Sequence, residues 1–440
     1  MNVLCIGFYD KFSRFFLGIK KELKKEDSNL KFKIFSIYLS GYLYSFLRLS
    51  PSSFMSFKGW WHVFLNQKKY LKIIETEHSY KNIEFHNLIK FHVQLNKSIK
   101  KKHLLLQAIS YIDILHKEFT NFKPDILLVI GDSRLFVEVA KKLAIQFNTK
   151  LYFIEQGPFD STFFDTKGIN ANASIKAIEI NEPVDLTAKQ KEDIYNYINK
   201  PKTLKYNRST IYRGLDFVLE RLLNTTFLYP PDLKYTDTFP VLKFSKTLRR
   251  NVLEPKNKTL KIFLVILQVP MDVNMIFHSP YFKSHYSLIK EVHENLPENS
   301  KLILREHPVY KDKYEKGLYE YCKKHNIIFD TDAPLKKSLD IADVVIVNNS
   351  TVGIEAIAMK KTVLVLGNSY YDNPKICIKY KEHEDLKSVL GNASNYTPNP
   401  KYINAFLNEF FFNYLIEGYI TDKKLIASKI ISDRLKASLN

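Results

Sequence analysis

The sequence has only three cysteines, Cys5, Cys322 and Cys377, in 440 residues. They are far apart and show none of the short spacings that zinc ligands have. Neither a disulfide framework nor a metal site is therefore indicated, and no metal is expected. A reducing compartment, the cytoplasm, fits this cysteine content.

Long hydrophobic runs are absent as well. No stretch approaches the ~18 uninterrupted apolar residues of a membrane-spanning helix, so none is predicted. The chain enters an apolar segment, Val3 to Phe8, with no basic region before it. This pattern predicts a first strand rather than a signal peptide.

Acidic residues are too few to balance the basic ones, and the formal net charge is +20. Such self-repulsion weakens the compact state unless a negatively charged partner relieves it, and nucleic acid, anionic lipid and phosphorylated substrates all qualify. An A/T-rich genome gives the same composition, and that explanation stays open. We expect a basic face, built from the first hundred residues and Lys246 to Arg250, that meets anionic lipid and not nucleic acid.

Several nucleotide-binding signatures are missing. The chain has no GxGxxG and no GxxxxGK[ST] loop, which argues against a dinucleotide oxidoreductase and a P-loop ATPase. The HExxH and protein-kinase signatures are absent too.

Alternating strand and helix patterns are present twice, from Val3 to Ile154 and from Leu260 to Leu366. Each run predicts a parallel sheet in an α/β fold, and 440 residues suit two domains of about 200 residues each. The predicted domains are residues 1–250 with the linker, residues 251–400, and residues 401–440 as helices that cross back onto the first domain.

Two turns of the second domain carry candidate ligand-binding residues at the ends of predicted strands. Arg305 and His307-Pro308 follow one strand. His307 there could donate to a phosphate or ribose oxygen and, as an imidazolium, could act in catalysis by helping a phosphate leave, or it could be an ordinary surface histidine. Asn349, Ser350 and Thr351 follow another strand and open a helix that contains Glu355. The hydroxyls could hold a phosphate or serve only as a helix cap, and Glu355 could bind ribose.

Taken together, these motifs resemble a known family. The two turns are similar to the nucleotide site of GT-B glycosyltransferases that use CMP-activated acidic sugars. Other segments resemble the capsule polysaccharide proteins that act as β-Kdo transferases. These segments are Leu267-Gln268-Val269-Pro270-Met271-Asp272, His278-Ser279-Pro280-Tyr281-Phe282, Glu155-Gln156-Gly157-Pro158, and the residues Asp165, Gly168, Asn170 and Ala171.

The resemblance implies a GT-B fold, with two Rossmann-like doubly wound domains that face a central cleft. It also implies a retaining transfer of β-Kdo from CMP-β-Kdo to a capsule or O-antigen polysaccharide, growing or lipid-linked, without a cofactor. The implied donor-binding residues are Gln268, Asp272, His278, Arg305, His307, Pro308, Asn349, Ser350, Thr351 and Glu355. The implied acceptor or sugar loop contains Asp132, Ser133, Gln156, Gly157, Asp165 and Asn170. A different CMP- or UDP-sugar donor, or a non-catalytic polyanion- or nucleotide-sugar-binding protein, remains an alternative.

Retention at the anomeric carbon requires either front-face attack or two successive inversions, and the second route needs a carboxylate nucleophile. The acceptor hydroxyl also needs a base. Glu155, at the end of a first-domain strand, is the predicted base. Asp232, after Pro230-Pro231, is the predicted nucleophile because a stiff loop between the domains could present it, although it could equally be a plain turn residue. Asp160, Asp165 and Asp272 are reserve candidates.

Overall fold

The structure is a computed structural model that describes residues 1–180, 182–200, 204–234, 260–330 and 334–438. The described residues form two compact units. Unit 1 contains those within residues 1–169, 201–235 and 414–440, and unit 2 those within residues 170–200 and 236–413. The predicted basic stretch from Lys246 to Arg250 lies outside the described residues.

The strands are numbered in chain order. They are β1 Asn2–Gly7, β2 Lys31–Ser36, β3 Ser52–Phe54, β4 Ile126–Ile130, β5 Lys150–Gln156, β6 Ser161–Asp165, β7 Lys261–Ile266, β8 Ser300–Arg305, β9 Ile328–Phe329, β10 Val344–Val347, β11 Thr362–Val365, β12 Ile378–Lys379 and β13 Leu415–Glu417.

The α-helices are numbered in the same way. They are α1 Asp10–Leu23, α2 Leu39–Phe46, α3 Met55–Leu65, α4 Gln67–Thr76, α5 Lys90–Leu95, α6 Lys101–Phe122, α7 Leu135–Gln146, α8 Ala188–Asn199, α9 Thr210–Leu223, α10 Val273–Ile276, α11 His285–Glu294, α12 Lys316–Lys324, α13 Leu335–Ile341, α14 Val352–Ala358, α15 Leu386–Asn395, α16 Pro400–Glu409 and α17 Ile426–Ala437.

Unit 1 is built on a seven-stranded sheet of order β13-β6-β5-β4-β1-β2-β3. Strands β3, β2, β1, β4 and β5 run parallel, whereas β6 and β13 are added antiparallel to their neighbours. Strand β4 is buried along its whole length because both faces of the sheet are covered. Ile126, Leu128 and Ile130 pack in a core with α1 and α17, while Leu127 and Val129 pack in a core with α6 and α7. This alternation follows from the two-residue period of a strand.

Unit 2 contains a six-stranded parallel sheet of order β12-β11-β10-β7-β8-β9. The order is that of a Rossmann-like doubly wound sheet, in which the first strand, β7, lies at the centre. Strand β10 is the short apolar run from Val344 to Val347 and is fully buried. The predicted class, α/β with two Rossmann-like domains, is confirmed.

The boundaries of the two units differ from the predicted domains in that residues 170–200 group with unit 2. The ammonium group of Lys176 lies 3.3 Å from the carboxylate of Asp372, and the ring of Tyr197 stacks on that of Phe411 with centroids 4.4 Å apart. Lys375 also donates from Nζ to a backbone carbonyl of the segment, at 2.6 Å. These contacts join residues about 200 positions apart in the sequence, so the composition of the segment could not predict them.

The end of the chain also differs from the predicted helix. Helix α16 ends at Glu409 and a π-helical turn, Phe410–Tyr414, follows it. Strand β13 then pairs with β6, and Ser428 and Ser432 of α17 donate to backbone carbonyls of α1. Residues 401–413 group with unit 2, and residues 414–440 group with unit 1, to which they contribute strand β13 and helix α17.

Candidate functional site

The order of the second sheet gives unit 2 a crevice at the carboxyl ends of its central strands. Strands β10 and β8 flank β7, and the chain leaves β7 and β10 toward opposite halves of the sheet. Ligands of doubly wound sheets bind at such a switch point. The turns after β7 and β10 carry Gln268 and Asn349, so the structure brings two of the predicted donor-binding residues together.

Asn349 ties these two turns to one another. Its backbone N donates to Oε1 of Gln268 at 3.3 Å, and its Nδ2 donates to the backbone O of Asn274 at 3.0 Å and of His278 at 2.9 Å. Both side chains are buried. Within the described part of the chain, Nε2 of Gln268 and Oδ1 of Asn349 have no hydrogen-bond partner. Buried polar atoms are nearly always bonded, so the unused donor of Gln268 and the unused acceptor of Asn349 are candidates for ligand contacts.

Asp272 and His278 serve mainly to shape this turn. Oδ1 of Asp272 accepts from the backbone N of Asn274 at 2.9 Å and of Met275 at 3.3 Å, and so caps α10. The His278 side chain is buried, and its backbone O also accepts from the N of Asn368 at 2.8 Å. A Cβ at Gly367 would lie 2.7 Å from this carbonyl, so the close packing of the turn requires glycine there.

His307 lies at the end of β8 and begins the 3₁₀ turn Pro308–Tyr310. Its backbone N donates to Oη of Tyr314 at 3.0 Å, and its Nδ1 accepts from the backbone N of Val309 at 3.3 Å. Burial lowers the pKa of His307, which favours the neutral ring. Because Nδ1 is an acceptor, the proton of the neutral ring is on Nε2. His307 can thus donate to an oxygen while neutral, whereas its lowered pKa disfavours the imidazolium that was also expected to help a phosphate leave.

Arg305 was predicted to bind the donor, but the structure gives it a structural ion pair. Its Nη1 lies 3.1 Å from Oδ2 of the buried Asp330 and donates to Oγ of Ser338 at 2.8 Å. A buried carboxylate needs such a counter-charge. Pro308, next to His307, is exposed and holds the turn.

Ser350, Thr351 and Glu355 surround the start of α14. Oγ of Ser350 accepts from the backbone N of Val352 at 3.3 Å, and its carbonyl accepts from the N of Gly353 at 2.9 Å. Thr351 is exposed, and Glu355 is partly buried one turn into the helix. Ser350 thus bonds the first backbone N–H of α14 from the position before the N-cap, Thr351, whose own side chain makes no capping hydrogen bond.

The carboxyl edge of the sheet in unit 1 carries charged groups instead. Glu155 is inside β5 rather than in the loop after it, and its Oε1 accepts from the backbone N of Gln156 at 2.9 Å. Burial raises the pKa of Glu155, and the Asp132 carboxylate adds to this, while the Gln156 amide and the Lys11 ammonium lower it. A carboxyl with a raised pKa can exchange protons closer to neutral pH.

Three further residues lie at this edge, and none of them was predicted from the sequence. Lys205 lies 3.4 Å from the Asp160 carboxylate and 4.2 Å from the ring centroid of Tyr419. Burial raises the pKa of Tyr419 to about 12, and the negative charges of Asp160 and Glu155 contribute. Lys205, Tyr419 and Lys11 thus join Glu155 and Asp160 in one charged cluster, the β5–β6 cluster. Of these, only Lys11 follows a predicted strand closely enough to have been found.

The remaining acceptor-loop residues form turns. Oγ of Ser133 donates to Oδ1 of Asp132 at 2.6 Å, after Gly131, whose φ of +70° favours glycine. Gly157 N donates to Ser161 O at 2.9 Å and closes the β5–β6 hairpin.

The D-x-x-G segment is a turn as well. Oδ1 of Asp165 accepts from the backbone N of Lys167 at 2.7 Å and of Gly168 at 3.3 Å. Asn170 has a left-handed φ of +51° and groups with unit 2. Oδ1 of Asp165 thus stabilises the local backbone, and the binding role of this residue stays a prediction.

Asp232, the predicted nucleophile, is not in a solvent-exposed loop. It lies in the 3₁₀ turn Pro231–Leu233 and is 2% exposed. Its carboxylate accepts from Oη of Tyr111 at 2.5 Å, Nε2 of Gln107 at 2.8 Å and Oγ of Ser56 at 3.2 Å. A carboxylate enclosed in unit 1 by three donors cannot reach a sugar carbon, so the prediction is wrong and Asp232 is structural.

Family comparison identifies the kind of protein. A family model described as "Capsule polysaccharide biosynthesis protein" matches residues 185–419, more than half of the chain. The chain belongs to this family. The matched region includes both turns of the unit 2 crevice and Lys205 and Tyr419 of the β5–β6 cluster. Groups of three or more His, Cys, Asp or Glu side chains suited to a metal ion do not occur in the ranges the structure describes.

Two curated relatives are similar to parts of the chain. The Protein FixF of Sinorhizobium fredii is 27% identical over 172 residues, which are 38% of this chain and 41% of the relative. The capsule polysaccharide export protein KpsS of Escherichia coli is 30% identical over 122 residues, 26% of this chain and 31% of the relative. The chain thus matches less than half the length of either relative.

Solved structures give weaker matches. The KpsC β Kdo 2,7 transferase of Thermosulfurimonas dismutans aligns with a TM-score of 0.39 at 17% identity, covering 72% of this chain and 89% of that one. The UDP-GlcNAc 2-epimerase of Neisseria meningitidis aligns with a TM-score of 0.35 at 14% identity, covering 99% and 100%. The family assignment rests on the family model and not on these scores.

Proposed function

We propose that this protein is a retaining glycosyltransferase that moves β-Kdo from CMP-β-Kdo to a growing or lipid-linked bacterial surface polysaccharide, capsule or O-antigen. The main support for this proposal is the unit 2 crevice, where Nε2 of Gln268 and Oδ1 of Asn349 are buried and make no hydrogen bond within the described residues. A nucleotide offers both acceptors and donors to such a pair. Membership of the capsule polysaccharide biosynthesis family supports a surface-glycan product.

The proposed donor contacts follow from the position of each side chain at the carboxyl edge of the unit 2 sheet. Nε2–H of His307 donates to a phosphate oxygen, since Nδ1 is already an acceptor. The Thr351 hydroxyl is exposed at the start of α14 and adds a second phosphate contact. Glu355, one turn further, contacts the ribose. Arg305 acts indirectly, because its ion pair with Asp330 holds the end of β8.

The proposed acceptor site is the β5–β6 cluster. Glu155 takes the proton of the acceptor hydroxyl, since its raised pKa suits proton transfer. With Asp232 enclosed, Asp160 is the carboxylate we propose as nucleophile if the reaction has two inversions. Asp160 pairs with a lysine, Lys205, in the same cluster as Glu155. The transfer takes place on the cytoplasmic side without a metal cofactor.

Donor hydrolysis tests the proposed function directly. The purified protein is incubated with CMP-Kdo, CMP-sialic acid and UDP-sugars in the presence of EDTA, and nucleotide release is measured. We expect release from CMP-Kdo above the rate without enzyme. Release only from CMP-sialic acid or a UDP-sugar would show that the donor is not CMP-Kdo. Binding without release from any donor would show that the protein binds nucleotide sugars but is not a transferase.

A further inference from the structure

Exposed apolar side chains are concentrated on one part of unit 1. Among the described residues, 19 large hydrophobic side chains are exposed, and 13 of them lie in residues 46–65 or 204–228. Scattered exposed hydrophobics are ordinary, but a concentration of this kind marks an interaction surface. The 13 are Phe46, Leu47, Leu49, Trp61, Leu65, Leu204, Ile211, Leu215, Phe217, Val218, Leu222, Phe227 and Leu228.

Helix α9 presents an aliphatic stripe outward along its whole length. The opposite face is fixed on α2, because the rings of Tyr44 and Tyr212 are 5.5 Å apart and the backbone N of Ser40 donates to Oδ1 of Asp216 at 2.9 Å. None of the helix's residues is buried. Residues spaced by four, three and four positions share one helix face, and here they are 73%, 37%, 52% and 68% exposed. They are Ile211, Leu215, Val218 and Leu222.

Two further apolar groups adjoin the ends of this stripe. The contacts between α2 and α9 run antiparallel, which places the tip of α2 near the start of α9. At that tip, Leu47 is 65% exposed and Leu49 is 93% exposed with a left-handed φ of 52°. Beyond the other end of α9, Nε1 of Trp60 donates to the carbonyl of Phe227 at 2.7 Å and brings Phe227 to α3, where Trp61 is exposed. We call the exposed side chains of residues 46–65 and 204–228 the α2–α9 surface.

Basic side chains outnumber acidic ones around this surface. Residues 28–74 contain seven Lys and Arg and no Asp or Glu. Arg48, Lys58, Arg213 and Arg221 are exposed on the surface itself. The acidic side chains of α9 are Asp216, which pairs with Arg208 at 2.7 Å, and Glu220. Exposed aliphatic and aromatic side chains among basic groups match a bilayer with negative headgroups, where Trp favours the interface.

We infer that the α2–α9 surface docks the protein on an anionic phospholipid bilayer. The aliphatic stripe and the α2 tip enter the region between headgroups and acyl chains, and the arginines and Lys58 contact lipid phosphates. Stable peripheral binding takes two signals, and here apolar insertion and basic charge coincide. No helix of the described ranges is both long and apolar enough to cross a bilayer, so this would be binding at one face.

Vesicle co-sedimentation tests the inference without any donor or acceptor sugar, so its outcome is independent of the proposed function. The full chain is mixed with vesicles of phosphatidylcholine and phosphatidylglycerol, and with vesicles of phosphatidylcholine alone. We expect binding to the first and much less to the second. A triple variant, Ile211→Ser, Leu215→Ser and Leu222→Ser, should weaken binding more than about tenfold, since each change removes an inserted side chain. Arg213→Gln with Arg221→Gln should weaken it less and make it less sensitive to salt.

A matched pair of single variants provides the control. Ile211 is 73% exposed, and Ile145 of α7, outside the surface, is 71% exposed. Ile211→Ser should weaken vesicle binding while Ile145→Ser leaves it unchanged, with equal melting temperatures. Absence of binding to anionic vesicles, or equal effects of the two variants, would overturn the inference. Two other results for the triple variant would also overturn it. A change in oligomeric mass in gel filtration would indicate that a second copy of the chain covers the surface, and a strong fall in melting temperature would indicate that the chain itself covers it.

Discussion

The side chains at the carboxyl edges of the two sheets differ in kind. In unit 2, Gln268, Asn349 and a neutral His307 offer uncharged donors and acceptors. In unit 1, Glu155, Asp160 and Lys205 offer groups that carry charge. Uncharged groups recognise a ligand by hydrogen-bond pattern, whereas a carboxyl with a raised pKa can move a proton. We infer that recognition of the donor and proton transfer are divided between the units.

The largest expected effect tests the unit 1 half of this comparison. Glu155→Gln removes the proposed base, so turnover should fall by about 10²- to 10⁴-fold while CMP affinity stays unchanged. Turnover is measured by release of CMP with acceptor present, and CMP affinity by calorimetry. Glu77→Gln, an exposed carboxylate on the same unit, is the control and should change neither. Equal turnover for both variants would contradict the assignment of Glu155.

The pH profile of the same enzyme gives a second reading of Glu155. A base acts when deprotonated, so kcat/KM should rise as pH increases through the raised pKa of Glu155. The rise should therefore occur at a higher pH than an ordinary glutamate would give. In Glu155→Gln this limb of the profile should be absent, and a limb that persists there would assign the titration to another group.

A smaller effect is expected at Asp232 and distinguishes a structural carboxylate from a catalytic nucleophile. Asp232→Ala leaves the donors Tyr111, Gln107 and Ser56 without their acceptor, and the free energy of unfolding should fall by about 3 kcal/mol. Denaturant unfolding measures this, with Asp185→Ala as an exposed control. Asp232→Asn should keep its turnover per folded molecule and still form any one-sugar adduct seen by intact mass. A folded Asp232→Asn that is inactive would restore the nucleophile role.

The smallest expected effect tests the unit 2 half. His307→Ala removes the Nε2 donor, and CMP binding should weaken by roughly 1.5–3 kcal/mol, the range for a hydrogen bond to a charged group. Calorimetry with CMP measures this, and the exposed His325→Ala serves as control. Unchanged CMP affinity in His307→Ala would place the phosphate elsewhere. Gln268→Leu should also weaken CMP binding, since its Nε2 is the unused donor of the crevice.

Three residues show how a motif can differ from the structure. Asp165, Asp272 and Arg305 lie in motifs that resemble a binding site, but Oδ1 of each aspartate accepts from nearby backbone and Nη1 of Arg305 pairs with Asp330. A motif shows which side chain is present and not which of its atoms is still available. The prediction for Asp232 was wrong for a different reason. Pro230-Pro231 predicts a turn, but it does not indicate the hydrogen bond from Tyr111, which lies 121 residues away.

Strands and turns with local signals could be predicted from the amino-acid pattern alone. The continuous apolar run from Ile126 to Ile130 predicted β4 with its observed bounds, because a strand buried on both faces needs apolar residues throughout. The turns of His307 and Ser350 were predicted because each follows such a run. Three features follow from tertiary contacts instead. These are the lack of hydrogen-bond partners for Nε2 of Gln268 and Oδ1 of Asn349, the contact of Lys205 with Asp160 and Tyr419, and the exposure of the aliphatic stripe on α9. These depend on contacts between residues far apart in the chain, which no local pattern specifies.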